Sequence, residues 1–135
     1  MLASGGGTNL QAILDQLHAG PEEIEVVGVV SDKPEATALE RAARAEVETA
    51  VFPATDYEDR AARDAALGDW IDQREVDLVV LAGYMQMLSP DFVERSLQSQ
   101  IAFFPRHFVG FGVLRFNIAR RLSPVVCLLS GRFLG

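Results

Sequence analysis

The sequence predicts an α/β protein, a Rossmann-like, doubly wound and mostly parallel sheet with helices on both faces. Three observations predict it. Apolar, β-branched runs alternate with amphipathic runs through the first hundred residues, and that alternation implies parallel crossovers. Two of the apolar runs, IEVVGVVS at 24–31 and VDLVVLAG at 76–83, are nearly continuous, as strands covered on both faces are. The 135 residues suffice for one domain with a real core and not for two.

The elements follow in chain order. Met1–Ser4 is a short apolar piece that leads into GGGTN. Leu10, Ile13, Leu14 and Leu17 fall at i, i+3, i+4 and i+7, the stripe of an amphipathic helix, and Gly20-Pro21 stops it. Ile24–Ser31 reads as a buried strand, ATALERAARAE as a helix, and TAVFP as a short strand closed by Pro53. A helix is expected over Asp56–Gln73, with Ala62, Ala66 or Leu67, Trp70 and Ile71 towards the core. The strand at 76–82 has the strongest pattern and is expected at the centre, flanked by the strands at 24–30 and near 49–52. Ser89 and Pro90 suit the N-cap and first position of the next helix. QIAFF, 100–104, reads as one more strand. No internal repeat, low-complexity segment or linker interrupts this order.

Composition narrows the function classes. No run of about 18 uncharged apolar residues exists, so no membrane span is expected. The opening MLASGGGTNL lacks the basic and apolar regions of a signal peptide, and the lone Cys127 excludes an internal disulfide framework, so cytoplasm is the expected compartment. A net charge of −7 argues against general nucleic-acid affinity.

That total hides a break. All 19 acidic residues lie within 1–94 beside six basic ones, a net of −13, whereas 95–135 holds six Arg and no acid, a net of +6. The tail also carries six of the eight Phe, unlike a polar basic arm. The chain therefore divides into an α/β part, 1–101, and an atypical basic, Phe-rich tail, 102–135. A shift of reading frame or of splicing near Arg95 would produce such a break.

In doubly wound sheets the ligand binds beyond the carboxyl ends of the strands, which points to SGGGTN, to AGYMQMLSP and to whatever follows QIAFF. Glycines let backbone approach an anion closely, and the first-turn amides of a helix favour negative charge. SGGGTN, with Thr8 and Asn9 as further donors, is therefore a candidate phosphate site; the plainer reading is a glycine turn into a helix. It is neither the dinucleotide pattern, since Leu10 stands where the third glycine belongs, nor a P-loop, since no Gly-Lys follows. Met85, Met87 and Leu88 suit a flat apolar ligand slot, or else the core. Arg60 could bind a carboxylate, or stand solvated on the surface. His18, at a helix end, reads as a partner of the helix dipole, and His107 stands alone. No Cys/His metal spacing and no nucleophile elbow occurs, so no metal is expected.

Together these loops resemble the phosphoribosylglycinamide formyltransferases. SGGGTNLQAI is similar to the family's opening S-G-x-G-S/T-N-L-Q-A-I, VVSDKPEATALERA to its second strand and helix, and DLVVLAGYMQMLSPDFV to its most characteristic internal run. The resemblance covers residues 1 to about 101. It implies a Rossmann-like domain that moves a formyl group from 10-formyltetrahydrofolate to glycinamide ribonucleotide in purine synthesis. It implies a substrate-phosphate site at Gly7, Thr8 and Asn9, and a folate site at Arg60, Met85, Gln86, Met87 and Leu88. Gln86 departs from the basic residue common at its position.

The resemblance fails where the family carries its catalytic residues. There a strand ends in I/L-N-I/V-H-P-S-L-L-P, whereas this chain reads IAFFPRHFVGF. With Pro105 holding the register, Ala102 occupies the position of the catalytic Asn and Phe104 that of the catalytic His. No acid follows Glu94 to stand for the family's later Asp. Relative to the family the domain is truncated after this strand, which leaves the strand's outer edge uncovered unless the Phe-rich tail covers it. Three readings follow: a formyltransferase, intact or, as these positions suggest, inactive as written; a non-catalytic remnant or scaffold that still holds a phosphorylated ligand; and a general nucleotide-binding domain, which the absent third glycine and the Met-rich loop disfavour.

Overall fold

The computed structural model describes residues 1–18 and 24–96, with the backbone alone of 100–104 and 127–128. Gly20-Pro21, Pro105, His107 and the tail beyond Phe104, apart from 127–128, lie outside the described residues.

The strands are β1 (Val29–Ser31), β2 (Thr49–Val51), β3 (Leu78–Ala82), β4 (Gln100–Phe104) and β5 (Cys127–Leu128). β1 pairs with β2 in parallel, Val29 beside Thr49. β3 pairs with β4 in parallel, Leu78 beside Gln100 and Ala82 beside Phe104. The N-terminal segment joins the two pairs. Leu2 bridges Val30 on one side and Leu81 on the other, both in parallel. Its N–H donates to the Val80 carbonyl at 2.8 Å, its carbonyl accepts from Ala82 at 2.8 Å, and Ala3 N–H donates to Val30 at 2.9 Å. The order across the sheet is thus β2, β1, the N-terminal segment, β3, β4, β5.

This order corrects one expectation. The strands at 29–31 and 49–51 do not flank β3; the N-terminal segment and β4 do. Leu2 and Ala3 are 1% and 0% exposed, and two apolar residues suffice to claim the central place once both their faces are covered. The outer edge of β4 is also not bare, because β5 pairs with it beside Ala102 and Phe103.

Helices α1 (Thr8–Gln16), α2 (Thr37–Arg44), α3 (Arg60–Asp72) and α4 (Pro90–Ser96) alternate with the strands, and a 3₁₀ turn spans Ala54–Asp56. Successive strand residues point to opposite faces. Leu2, Val30, Val79 and Leu81 accordingly share a cluster with Leu67, Ile71 and Phe92 of α3 and α4. Ala3 and Val29 share the other with Leu10 and Leu14 of α1 and Ala38 and Ala42 of α2. The sheet is doubly wound, and fully burying side chains such as Leu2, Leu10 and Leu67 contributes roughly 1.5–3 kcal/mol each.

Two local readings are corrected and a third is extended. Only Val29–Ser31 of the run 24–31 is strand, because Val27 is exposed and Ile24 bridges back to His18 instead of joining the sheet. His18, at the end of α1, takes a backbone partner that the sequence did not indicate: its Nδ1 accepts a hydrogen bond from Val26 N–H at 3.1 Å. Ala62 is exposed, and α3 instead buries Arg63, Asp64, Leu67, Gly68 and Ile71.

Candidate functional site

Both sequence-nominated loops emerge at the carboxyl ends of adjacent central strands, the N-terminal segment and β3. The Ser4 hydroxyl joins them, accepting from Met85 N–H at 2.7 Å, and Ser4 N–H donates to the Gly83 carbonyl. In the first loop Gly7 caps α1 in the left-handed region, φ +68°. A β-carbon there would lie 2.8 Å from Ala38 Cα, so position 7 requires glycine on both counts. Among the described residues no acceptor meets the N–H groups of Gly6, Gly7, Thr8 or Asn9. Thr8 is exposed and Asn9 half-buried. Loose amides at a helix start, open to solvent, suit an anion.

The second loop forms one wall of a cavity of about 400 Å³. Met85, Gln86 and Met87 line one side, and Tyr57, Arg60 and Arg63 of the α3 entry line the other. Met85 and Met87 are 57% and 75% exposed, so neither belongs to the core. Leu88 does not line the cavity and packs against the core cluster of α3 and α4. Arg60 opens α3 and is exposed at the cavity rim, where a ligand carboxylate could reach it. Its helix is capped by Asp59, whose carboxylate accepts from Ala62 N–H at 2.7 Å.

Beneath the loop runs a buried polar chain that the residue pattern did not announce. Arg63 and Asp64, 2% and 1% exposed, form an ion pair of 2.6 Å. Arg63 Nη2 also donates to the Met87 carbonyl at 3.0 Å, and Nη1 to Gln86 Oε1 at 3.2 Å. The other oxygen of Asp64 accepts from Ser89 N–H at 2.5 Å. Gln86 Nε2 continues the chain, donating to Asp32 at 2.8 Å. A buried charge with partners missing costs several kcal/mol, so these side chains hold one another and the loop in place. Tyr84 sits close by; burial pushes its hydroxyl up to about 12, with Arg63 pulling it down and Asp32 and Asp64 adding to the rise. The signal for Arg63 was present in the helical phase, four residues before Leu67 and eight before Ile71, and its charge masked it.

Residues 1–106 match the formyl transferase family. The chain belongs to that family. It is 42% identical over 95 residues to phosphoribosylglycinamide formyltransferase of Haemophilus influenzae, covering 70% of this chain and 45% of that protein. It is 43% identical over 93 residues to the Escherichia coli protein of the same name, covering 69% and 44%. Glycinamide ribonucleotide transformylase 1 from Symbiobacterium toebii superposes with a TM-score of 0.66 at 44% identity, over 70% of this chain and 44% of that one. The chain thus spans under half the length of the curated relatives it matches. Among the described residues no cluster of three His, Cys, Asp or Glu is placed to hold a metal, and no helix is long and apolar enough to cross a membrane.

The strand β4 ends beside the second loop. The register sets Ala102 beside Val80 and Phe104 beside Ala82, at the same edge from which the Gly83–Leu88 loop departs. Neither residue type carries a side-chain hydrogen-bond donor.

Proposed function

We propose that this chain is the nucleotide- and folate-binding part of a cytoplasmic phosphoribosylglycinamide formyltransferase, and that as written it binds both ligands without transferring the formyl group. The observation that carries the reading is the adjacency of the two loops, tied by the Ser4–Met85 hydrogen bond beyond the ends of neighbouring strands. Glycinamide ribonucleotide would place its phosphate on the amides of Gly7, Thr8 and Asn9. 10-Formyltetrahydrofolate would lay its pterin along Met85, Gln86 and Met87, with Leu88 behind them, and present its carboxylates to Arg60. The two substrates then meet over the central strands. The relatives' names support a formyl transfer to glycinamide ribonucleotide.

The chemistry is attack of the glycinamide amine on the formyl carbon, with a tetrahedral oxyanion. Each side-chain donor lost from such an oxyanion costs about 3–4 kcal/mol. Ala102 and Phe104 at the donor positions supply neither, so binding survives and turnover does not. We read the tail, 102–135, as a shifted reading frame. Genomic DNA encoding Asn-x-His-Pro in another frame at codons 102–105 supports this; its absence from every frame overturns it.

Calorimetry on residues 1–135 tests the reading. Ribose 5-phosphate and a folate analogue should each bind, Asn9→Ala should weaken the first alone and Arg60→Ala the second alone. Absence of binding by both ligands would refute the assignment.

A further inference from the structure

We infer that Arg41 is a positioning residue of the phosphate site, although it lies on α2 and thirty-four residues beyond Gly7 in the chain; the inference rests on the reading of SGGGTN as that site. The observation is a pair of carbonyls turned the same way. Gly5 O accepts from Ala38 N–H at 3.0 Å, and Gly6 O accepts from Arg41 Nε at 2.7 Å. Both acceptor bonds come from α2. In a trans peptide the C=O and the following N–H point in opposite directions. Fixing the carbonyls of Gly5 and Gly6 towards α2 therefore aims the N–H groups of Gly6 and Gly7 away from it, as two neighbouring donors. Successive amides set in this way make an anion-binding concavity.

The same guanidinium reaches a second element. Arg41 Nη1 donates to Gln11 Oε1 at 3.1 Å, and Gln11 Nε2 in turn donates to Asp15 at 2.8 Å. Gln11 belongs to the first turns of α1, whose own amides at Thr8 and Asn9 are unpaired among the described residues. One side chain thus sets the loop amides and the helix amides at a fixed angle to each other. A planar fork of rigid donors is pre-organised to make both bonds at once, whereas a lysine ammonium is a point charge on a flexible stem. Glycine has the widest φ/ψ freedom of any residue, and at positions 5 and 6 the bonds from α2 restrict it. The loop has no other restraint on the Gly6 carbonyl among the described residues.

The test measures ribose 5-phosphate and folate-analogue binding by calorimetry on residues 1–135, for the wild type, Arg41→Ala, Arg41→Lys, Gln11→Leu and Asn9→Ala. Arg41→Ala should weaken ribose 5-phosphate about tenfold or more, the loss of a hydrogen bond from a charged donor. Arg41→Lys should recover part of that loss, Gln11→Leu should show a smaller one, and folate affinity should stay within about twofold throughout. A merely structural Arg41 would lower both affinities together, and that result overturns the inference. Should Arg41→Ala fail to fold, Arg41→Lys and Gln11→Leu decide it, and unchanged ribose 5-phosphate affinity in both overturns it. If Asn9→Ala weakens the sugar phosphate and no Arg41 variant does, this inference alone fails. If the wild type binds no ribose 5-phosphate, the site reading fails and takes this inference with it.

Discussion

Arg63 Nη1 donates to Gln86 Oε1 across 3.2 Å, and that contact joins the buried face of α3 to the loop that walls the cavity. The charge of Arg63 is met at once by Asp64, and its remaining donors go to the loop. The consequence is a loop whose shape is set from below. Met85 and Met87 can then stand exposed to a ligand without collapsing onto the core.

Asp64 should be the most sensitive position in the buried chain. Asp64→Ala strands a guanidinium that is almost fully buried and leaves Ser89 N–H without its acceptor. The expected loss is about 3–5 kcal/mol in urea unfolding. A loss below about 1 kcal/mol would show that the pair is not holding the helix and loop together.

Gln86 should separate loop order from phosphate binding. Gln86→Leu removes both amide bonds, to Arg63 and to Asp32, at a cost of about 1–3 kcal/mol in stability. Folate-analogue affinity should fall while ribose 5-phosphate affinity holds. Equal affinities for the folate analogue in variant and wild type would remove Gln86 from the positioning of the loop.

Much of the architecture was legible because the residues that build it are of one kind. The stripe at Leu10, Ile13 and Leu14, the run at 78–82 and the Ser89-Pro90 start each state one structure only. What was not legible depends on neighbours distant in sequence. Leu2 and Ala3 are too few to announce a central strand, and only Val30 and Leu81 on either side make them one. Arg63 and Asp64 look like surface residues because each alone would be, and their burial makes sense only with Gln86, Met87 and Ser89 in place. Around the candidate site, Gly7, Arg60, Met85, Gln86 and Met87 could be singled out from the chain, and the structure brings Arg60, Met85, Gln86 and Met87 to one cavity. Ser4 and Arg41 could not, since their part lies in where their bonds go.

Tyr84 gives a pH test. Its hydroxyl is buried and meets no protein partner among the described residues. Burial raises it from 10.0 to about 12 in the folded state, so the unfolded chain gives up this proton first. The stabilisation is complete below pH 10 and is lost as pH rises through about 12. Tyr84→Phe should be neutral or slightly stabilising at pH 7 and should lack that alkaline fall. A marked destabilisation at pH 7 would mean that the hydroxyl has a structural role.

Gly7→Ala should damage the phosphate site and the fold together. A left-handed non-glycine residue costs about 1–2 kcal/mol, and the new methyl also meets Ala38. Ribose 5-phosphate binding should be lost, while the substitution Gly5→Ala, where nothing crowds the added carbon, should fold normally. Normal binding by Gly7→Ala in calorimetry would contradict the geometry of the first loop.

Formyl transfer itself tests the central claim most directly. Purified residues 1–135 are given saturating 10-formyltetrahydrofolate and glycinamide ribonucleotide, and formylated product is followed with time. Both substrates should bind and no product should form above the uncatalysed background, because Ala102 and Phe104, in register with Val80 and Ala82, are residue types without a side-chain donor. A turnover within tenfold of an ordinary enzyme's roughly 10 s⁻¹ would contradict it.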